Sequence, residues 1–199
     1  MTYVEQGLFH NSLPASDVFN KEWRDACDVR PVTKAEATPL IEQHYLGKWP
    51  GVCVLRLGLI CGSELLGVLV FALPPRETNK RYGGETLELA RLWVDDRVPR
   101  NAETWFIGKG VKHVKKTMPT VRFLVSYADP SQGHRGTIYK AANWLVDGRT
   151  DEGRKTPRMD YVCAVSGKKY SRRAHIPAGL EVNRVPRISK LRFYLKVSA

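Results

Sequence analysis

One stretch decides the fold of this chain: Val121-Arg-Phe-Leu-Val-Ser-Tyr-Ala-Asp129-Pro-Ser-Gln-Gly-His-Arg-Gly136-Thr-Ile-Tyr-Lys-Ala-Ala-Asn-Trp144. Its first residues, up to Val125, have the length and the β-branched content of a buried strand. Asp129-Pro130 requires an extended or turn geometry, so the strand ends there. A glycine-containing loop then leads into a short helix that begins at Gly136 or Thr137, with apolar residues spaced to face a core.

The same stretch concentrates polar side chains where the strand ends. Tyr127, Asp129, His134, Arg135 and Tyr139 fall within thirteen residues. Open α/β sheets bind ligands at the carboxyl ends of their strands, so this density predicts a functional site. The alternative is an ordinary strand-to-helix turn, in which these side chains serve only the turn and the core.

The size and composition predict a folded domain. The chain has 199 residues, of which 43% are hydrophobic and five are tryptophan. These values predict one domain with appendages and a substantial core. The longest apolar stretch, 52–73, is interrupted by Arg56, glycines and Glu64, so we do not expect it to span a membrane. The N-terminus lacks the basic and apolar regions of a signal peptide, and a cytoplasmic location is the expectation.

The four cysteines, Cys27, Cys53, Cys61 and Cys163, are scattered along the chain. None forms a Cys-x-x-Cys pair, so the sequence predicts no zinc site. Free thiols in a reducing cytoplasm are the simplest expectation for all of them.

The charge is strongly positive, with a net value of +12 and a pI near 9.7. Residues 149–199 contain 13 Lys and Arg against 4 Asp and Glu, a net charge of +9. This balance predicts a polyanionic partner, nucleic acid first, although a generally basic soluble protein is the alternative. Trp49 or Tyr82 would stack on a nucleobase or take its place. The predicted phosphate contacts are Lys48, Arg76, Lys80, Arg81, Lys168, Lys169, Arg172, Arg173, Arg184 and Arg187.

Local patterns predict the remaining elements. Thr33 and Glu36 have capping-box spacing for a helix that ends near Gly47, although Pro39 favours a start nearer Thr38. Asn101 has the right side chain to cap a helix over 102–116. Residues 74–84 and 147–158 are predicted loops. The predicted strands are 27–32, a hairpin of 52–60 and 65–72, 86–94, the strand at 121, 159–165 and a basic edge strand from 190 to 196.

This element order predicts an α/β (α+β) fold with a mixed, mainly antiparallel twisted sheet flanked by helices. The helix over 102–116 supplies the crossover, and the order resembles that of the GNAT acetyltransferase fold. We expect an N-terminal arm over 1–25, a GNAT-like catalytic domain over 26–165, and a basic C-terminal extension over 166–199 that packs on the domain.

Several motifs carry a more specific resemblance. Glu88-Leu-Ala-Arg-Leu-Trp-Val-Asp-Asp96, Val98-Pro-Arg-Asn-Ala-Glu-Thr104, Ser126-Tyr-Ala-Asp-Pro130 and Gly133-His-Arg-Gly-Thr-Ile-Tyr-Lys-Ala-Ala-Asn-Trp144 together resemble the bacteriophage Mom proteins. The resemblance implies conversion of the exocyclic N6 amine of adenine in phage DNA to a carbamoylmethyl form, which protects the DNA from host restriction. It also implies acetyl-CoA and iron as cofactors.

The resemblance also implies roles for individual residues. Asp129 would hold the flipped base or take its proton, and Tyr139 would protonate a departing thiolate. Arg91 would neutralise a carbonyl or phosphate, and His44 and Tyr45 would bind iron together with Asp129. Each role has a structural alternative. Asp129 would serve only the turn, Tyr139 would be a core aromatic, Arg91 would be a surface cation, and His44 would be a structural histidine. The functional positions implied by the family are His44, Tyr45, Arg91, Ser126, Asp129 and Tyr139.

The loop before the helix over 102–116 is the expected place for the CoA pyrophosphate. GNAT enzymes usually use a glycine-containing loop there, whereas this chain has Arg97-Val-Pro-Arg-Asn-Ala102. We expect Arg97, Arg100, Asn101 and Ala102 to hold phosphate at the helix N-terminus. On the preceding strand, Glu88 and Arg91 are expected on opposite faces, because three residues is an odd step.

The predicted partner is double-stranded DNA with a flipped adenine, with no membrane association. The glycine pair at 83–84 and the basic edge strand would also suit a homodimer. Two alternatives remain: a GNAT acyltransferase acting on another amine, and a non-catalytic DNA-binding module. Convergence of Arg91, Asp129 and Tyr139 on one cleft beside a basic surface would favour the DNA-modifying enzyme.

Overall fold

A computed structural model of the protein describes residues 23–170 and 175–197. The strands are β1 (Cys27–Pro31), β2 (Cys53–Cys61), β3 (Glu64–Ala72), β4 (Thr86–Val94), β5 (Phe123–Ala128), β6 (Leu145–Arg149), β7 (Met159–Cys163), β8 (Lys169–Tyr170), β9 (Val182–Pro186) and β10 (Leu191–Lys196). The helices are α1 (Lys34–Gln43), α2 (Arg76–Arg81), α3 (Ala102–Thr117) and α4 (Thr137–Ala141). The predicted mixed fold is confirmed.

A seven-stranded sheet in the order β1-β2-β3-β4-β5-β10-β6 forms the centre of the molecule. All neighbouring strands are antiparallel except β4 and β5, which are parallel. Side chains alternate across the sheet, as the strand period requires. On β3, Val68 and Val70 pack with α1, whereas Leu69 and Phe71 join the larger core around α3. The sheet is therefore covered on both faces.

The C-terminal strand β10 lies inside the sheet, between β5 and β6, so its prediction as an edge strand is wrong. Its middle residue, Phe193, is fully buried. Charged and apolar residues alternate in this strand as they do in many edge strands. The sequence of one strand, however, does not specify which strands pair with it. The edge is instead β6, whose residues overlap the loop predicted over 147–158.

A second, three-stranded sheet in the order β8-β7-β9 is inserted between β6 and β10. We call residues 150–190 the lobe. Its two ends are joined by backbone hydrogen bonding, because the Thr150 N–H donates to the Lys190 carbonyl over 3.0 Å. The boundary predicted after residue 165 falls inside the lobe, between β7 and β8. Most of the expected N-terminal arm lies outside the described residues, but Trp23 is buried against Trp105.

Local predictions have mixed outcomes. The capping box is confirmed: the Glu36 N–H donates to Thr33 Oγ1 over 3.2 Å, and the Thr33 N–H donates to the Glu36 carboxylate over 2.7 Å. α1 begins at Lys34 although it contains Pro39, and it ends at Gln43 rather than near Gly47. The predicted loop over 74–84 contains the short helix α2.

Two further expectations are corrected. Cys27 and Cys61 form a disulfide, because the antiparallel register of β1 and β2 places them opposite each other. Cys53 and Cys163 are the free thiols, so free thiols at all four positions is wrong. Asn101 precedes α3 in a left-handed conformation, with φ of 74°, and its side chain makes no capping hydrogen bond. No helix within the described residues is both long and apolar enough to cross a membrane.

Candidate active site

The candidate active-site cavity lies where the main sheet splits. β4 and β5 pair only from Thr86 with Phe123 to Glu88 with Val125. Beyond that point β4 stays paired with β3, and β5 stays paired with β10. On the sides that face each other, the backbones of β4 and β5 are therefore unpaired. Unpaired backbone donors and acceptors at a sheet edge are ready to bind an extended ligand.

A β-bulge in β4 shapes the wall of this cavity. Val70 of β3 faces Arg91, but the next residue, Phe71, faces Leu89, so Ala90 is the extra residue. A bulge shifts the side-chain alternation by one. Glu88 and Arg91 consequently both line the same cavity, and the prediction that they lie on opposite faces is wrong.

The cavity has a volume of about 600 Å³. It gathers residues from six separate parts of the chain: the loop after α1, the bulged part of β4, the region around the start of α3, the end of β5, the glycine loop with α4, and Lys190 before β10. That size suits a small-molecule site. The predicted site residues that line it are His44, Tyr45, Arg91, Ser126 and Tyr139, and Glu88, His134, Arg135 and Lys190 line it as well.

Tyr139 and Ser126 form a buried hydroxyl pair at the base of the cavity. Ser126 Oγ lies 2.8 Å from both the Tyr139 hydroxyl and the Leu89 carbonyl oxygen. A serine hydroxyl has one proton and a carbonyl only accepts. When Ser126 donates to Leu89, the Tyr139 phenol is therefore free to donate, and when the phenol ionises, Ser126 can turn and donate to it. Burial raises the pKa of Tyr139 to about 12, so the phenol is protonated at neutral pH.

Glu88 is a functional candidate that the sequence reasoning missed. Burial raises the pKa of its carboxyl, and the charges of Arg91 and Lys190 only partly oppose that effect. A carboxylate with a raised pKa is a better proton acceptor than an exposed one. The signal in the sequence was a single carboxylate between two leucines in a mainly apolar strand, 86–94, whose other charged residue is Arg91.

Arg91 is buried, with 8% of its surface exposed, and is not a surface cation. Its Nε donates to the Lys48 carbonyl over 2.8 Å, and its Nη1 donates to the Ala90 carbonyl. Burial lowers its pKa. These contacts fasten the loop after α1 to the bulge, so Arg91 positions the loop that carries His44 and Tyr45.

Asp129 is buried beside the cavity but is not part of its lining. The Ser131 hydroxyl and N–H donate to its Oδ1, and Lys190 Nζ lies 3.1 Å from its Oδ2. Burial alone would raise the pKa of Asp129, but the hydrogen bonds from Ser131 and Lys190 outweigh it and the pKa is lowered. Asp129 is thus a fixed anion that orients Lys190, and it is a weaker proton acceptor than Glu88.

Comparison with known proteins shows the family to which this chain belongs. Residues 26–188 match the Mom protein family. The chain belongs to the Mom family. The methylcarbamoylase mom of Escherichia phage Mu is 34% identical to it over 109 residues, which cover 51% of this chain and 45% of that relative. The chain therefore matches less than half of the length of that Mom protein.

The fold of this Mom family member is that of GNAT acetyltransferases. A Bacillus subtilis acetyltransferase in complex with CoA superposes with a TM-score of 0.51 at 14% identity, covering 85% of this chain and 97% of that one. A GNAT family acetyltransferase from Elizabethkingia anophelis with acetyl-CoA bound gives 0.53 at 12% identity, covering 86% and 99%. The spermidine N-acetyltransferase of Vibrio cholerae, in complex with CoA and spermine, gives 0.52 at 8% identity, covering 87% and 96%.

The residues expected to bind iron do not fit a metal. His44 Nδ1 accepts the Leu46 N–H over 3.1 Å, so its one lone pair is occupied and its proton lies on Nε2. Asp129 is held by Lys190 and Ser131 as described. Within the described part of the chain, no three His, Cys, Asp or Glu are grouped so that they could hold a metal ion. His44, Tyr45 and His134 instead form an aromatic cluster, with ring centroids 4.5 and 5.3 Å apart.

The residues expected to hold the CoA phosphates lie outside the cavity lining. Arg97 is paired with Asp95 and with Glu64, at 3.0 Å each. Arg100 and Asn101 are exposed, and Ala102 is buried in the core. The cavity wall near the start of α3 is formed by Asp96 and Glu103 instead. Arg135 is the cation that lines the cavity from the glycine loop.

The residues expected to contact DNA are dispersed. Lys48, Lys168 and Lys169 are exposed, and the two lysines at 168–169 lie on the lobe. Arg81 is bound to Asp147 by two hydrogen bonds of 2.8 and 2.9 Å. Trp49 is partly buried against the core beside α1, and Lys34 Nζ lies over its ring, 5.8 Å from the centroid. Arg172 and Arg173 lie outside the described residues.

Proposed function

We propose that this protein is a phage DNA-modifying transferase that attaches a carbamoylmethyl group to the N6 amine of adenine, which protects the DNA from host restriction. The observation that carries the proposal is a cavity at the β4–β5 split, in a chain of the Mom family, that gathers Glu88, Arg91, Ser126 and Tyr139. The net charge of +12 supports a polyanionic substrate.

Two proton transfers are required of the protein. As N6 bonds to the donor carbon it loses a proton, and Glu88 is the carboxylate in the cavity whose raised pKa suits it to accept that proton. The Tyr139 phenol donates a proton to the group that is displaced. Ser126 then turns from the Leu89 carbonyl and donates to the phenolate oxygen, which stabilises the charge within the buried pair.

The GNAT neighbours with bound CoA support acetyl-CoA as a cofactor, which when bound would supply the two carbons of the group as a thioester. Acyl transfer alone would leave an acetyl group on N6, so a carbamoylmethyl product also requires an amide nitrogen and a two-electron oxidant, each supplied by a further co-reactant. The open edge of β4 beyond Glu88 would hold the acyl arm of acetyl-CoA, and Arg135 would meet a phosphate. Iron is not part of the proposal, because the residues in the described part of the chain do not form a ligand set.

DNA would approach along the basic lobe. Lys168, Lys169 and Arg184 are exposed there, and Lys190 at the base of the lobe lines the cavity. Each lysine or arginine that meets a phosphate releases counterions, so binding should weaken steeply with salt. A protein that modifies N6 must take the adenine out of the duplex, because N6 is paired there.

The test is co-expression with a plasmid, followed by digestion with adenine-sensitive restriction enzymes and mass spectrometry of the nucleosides. We expect modified deoxyadenosine, and the adduct mass distinguishes a carbamoylmethyl group from an acetyl group. Tyr139→Phe should lower the modification rate by about 10² to 10⁴-fold while the protein stays folded. Normal digestion and unmodified deoxyadenosine with soluble protein would refute the proposal, and modification that survives Tyr139→Phe would refute the role of the phenol.

A further inference from the structure

A second cavity, of about 560 Å³, shares Glu88, Ala90 and Arg91 with the active-site cavity. The two cavities therefore meet at the bulge of β4. Because the bulge turns both Glu88 and Arg91 to this boundary, molecules held in the two cavities would contact the same short segment of chain. That arrangement is required when a donor and an acceptor must react with each other.

The remaining wall of the second cavity is apolar. It is formed by the end of the loop before β2 and the segment after β3, where the Leu73 N–H donates to the Val52 carbonyl over 2.9 Å. Val52 and Leu73 are 59% and 55% exposed, an unusual exposure for large apolar side chains beside a reacting centre. Three prolines complete the wall: Pro50, Pro74 and Pro75. Proline has no backbone N–H, so a bound apolar ring would not leave a donor unpaired there. Such a surface suits the flat face of an aromatic heterocycle.

Glu88 gives this apolar wall its chemical selectivity. Within the described residues its carboxylate has no hydrogen-bond or ion-pair partner, although the residue is partly buried. A carboxylate accepts hydrogen bonds, so it favours a ring that presents an exocyclic amine and disfavours one that presents a carbonyl at the same position. Adenine and cytosine present an amine there, whereas guanine and thymine present a carbonyl.

The rim of the cavity is basic. Lys48 precedes the loop that supplies Pro50, and Arg76 directly follows Pro75. Both side chains are exposed. Phosphates on either side of an extruded nucleotide would therefore meet a cation, while the base lies against the apolar wall.

We propose that the second cavity is the pocket for an adenine extruded from DNA, held against Val52 and Leu73, with Glu88 accepting from its N6 amine. The inference rests on the proposed function, because it names the place of the base in that reaction. The base pocket and the donor cavity then face each other across the bulge at Ala90.

The experiment measures base extrusion separately from catalysis. The probe is a duplex with one adenine opposite an abasic site and 2-aminopurine as its neighbour, so that removal of the adenine from the stack raises the fluorescence. We expect the unaltered protein to raise the signal with this duplex and not with one carrying guanine in place of the adenine. Val52→Trp and Leu73→Trp fill the pocket and should abolish the rise, while fluorescence anisotropy shows unchanged binding to the duplex.

The matched control is Val146→Trp, since Val146 is 53% exposed on β6 and lines neither cavity. Its fluorescence rise should equal that of the unaltered protein. Glu88→Gln should admit guanine, because an amide both donates and accepts, and thermal unfolding checks that each variant is folded. A rise that persists in both wall variants, or no rise with adenine in the unaltered protein, would overturn the pocket assignment even where modified deoxyadenosine is found. Absence of modification with the unaltered chain would instead refute the proposed function itself.

Discussion

The main sheet and the lobe are held together by different forces. The main sheet buries large side chains completely, including Phe71, Phe106 and Phe193, whereas Cys163 is the one buried side chain of the lobe among its described residues. In the lobe, Arg158 pairs with Asp151 at 2.9 Å. Apolar burial contributes far more to stability than exposed ion pairs do. The main sheet therefore supplies the stability and the cavity, and the lobe supplies exposed charge.

The largest expected effect tests the packing of the main sheet. Gly136 and Gly133 both have φ near 73°, but a Cβ on Gly136 would lie 2.1 Å from the Phe193 ring, whereas nothing lies within 4 Å of one on Gly133. We expect Gly136→Ala to lower the free energy of unfolding by about 2–5 kcal/mol through backbone strain plus overpacking, and Gly133→Ala by about 1–2 kcal/mol through strain alone. Chemical denaturation measures both. Equal losses would show that Phe193 does not confine position 136.

A smaller effect, confined to binding, tests the lobe. Replacing Lys168, Lys169 and Arg184 together by alanine should reduce the log-log salt slope of DNA affinity by about 0.9 for each phosphate that the variant no longer neutralises. Stability should change by less than about 0.5 kcal/mol, because these residues are exposed. Fluorescence anisotropy with a labelled duplex over a range of salt concentrations measures the slope.

The control for the lobe variant is the exposed lysine cluster of α3, Lys112, Lys115 and Lys116, replaced by alanine. It changes the net charge by the same amount on another surface. Equal slopes for the two triple variants would mean that total charge, and not the lobe, governs binding.

The smallest expected effect is the contribution of His44, which lines the cavity, to the pH dependence of stability. Burial, with smaller contributions from Arg91, His134 and Lys190, lowers the pKa of His44 from 6.5 to about 4. The unfolded chain then binds more protons than the folded one between these values, so His44 lowers stability as the pH falls from about 6.5 to about 4. We expect His44→Gln to reduce the loss of stability between pH 7 and pH 5. Denaturation curves at both pH values measure this change.

Salt concentration also distinguishes the two regions, in the denaturation curves for His44 and in the DNA-binding curves for the lobe. The desolvation of a half-buried histidine is screened little, so the His44 effect should persist at high salt, in contrast to DNA binding by the lobe. An unchanged pH dependence in His44→Gln would show that His44 is solvated and titrates normally in the folded protein.

Sequence patterns predicted the parts of the site that depend on neighbours along the chain. The strand, glycine loop and helix of 121–144 place Ser126 just before a short loop and Tyr139 just after it, and their hydroxyl oxygens lie 2.8 Å apart. Glu88 was missed because its position depends on a bulge, which adds one residue to one strand and reverses the alternation. Asp129 was predicted as the proton acceptor, but its partner Lys190 is distant in sequence and holds it as a fixed anion.

The sequence by itself determined the mixed fold, the capping box of α1, the basic charge and the family motifs, because these follow from short-range periodicity, local hydrogen bonding and composition. Only the tertiary structure decided that β10 lies inside the sheet, that Cys27 meets Cys61, and that a cavity opens where β4 leaves β5. Each of those features depends on which strand pairs with which and in what register. Such pairing is set by the packing of segments far apart in the chain, and the local pattern of no single segment specifies it.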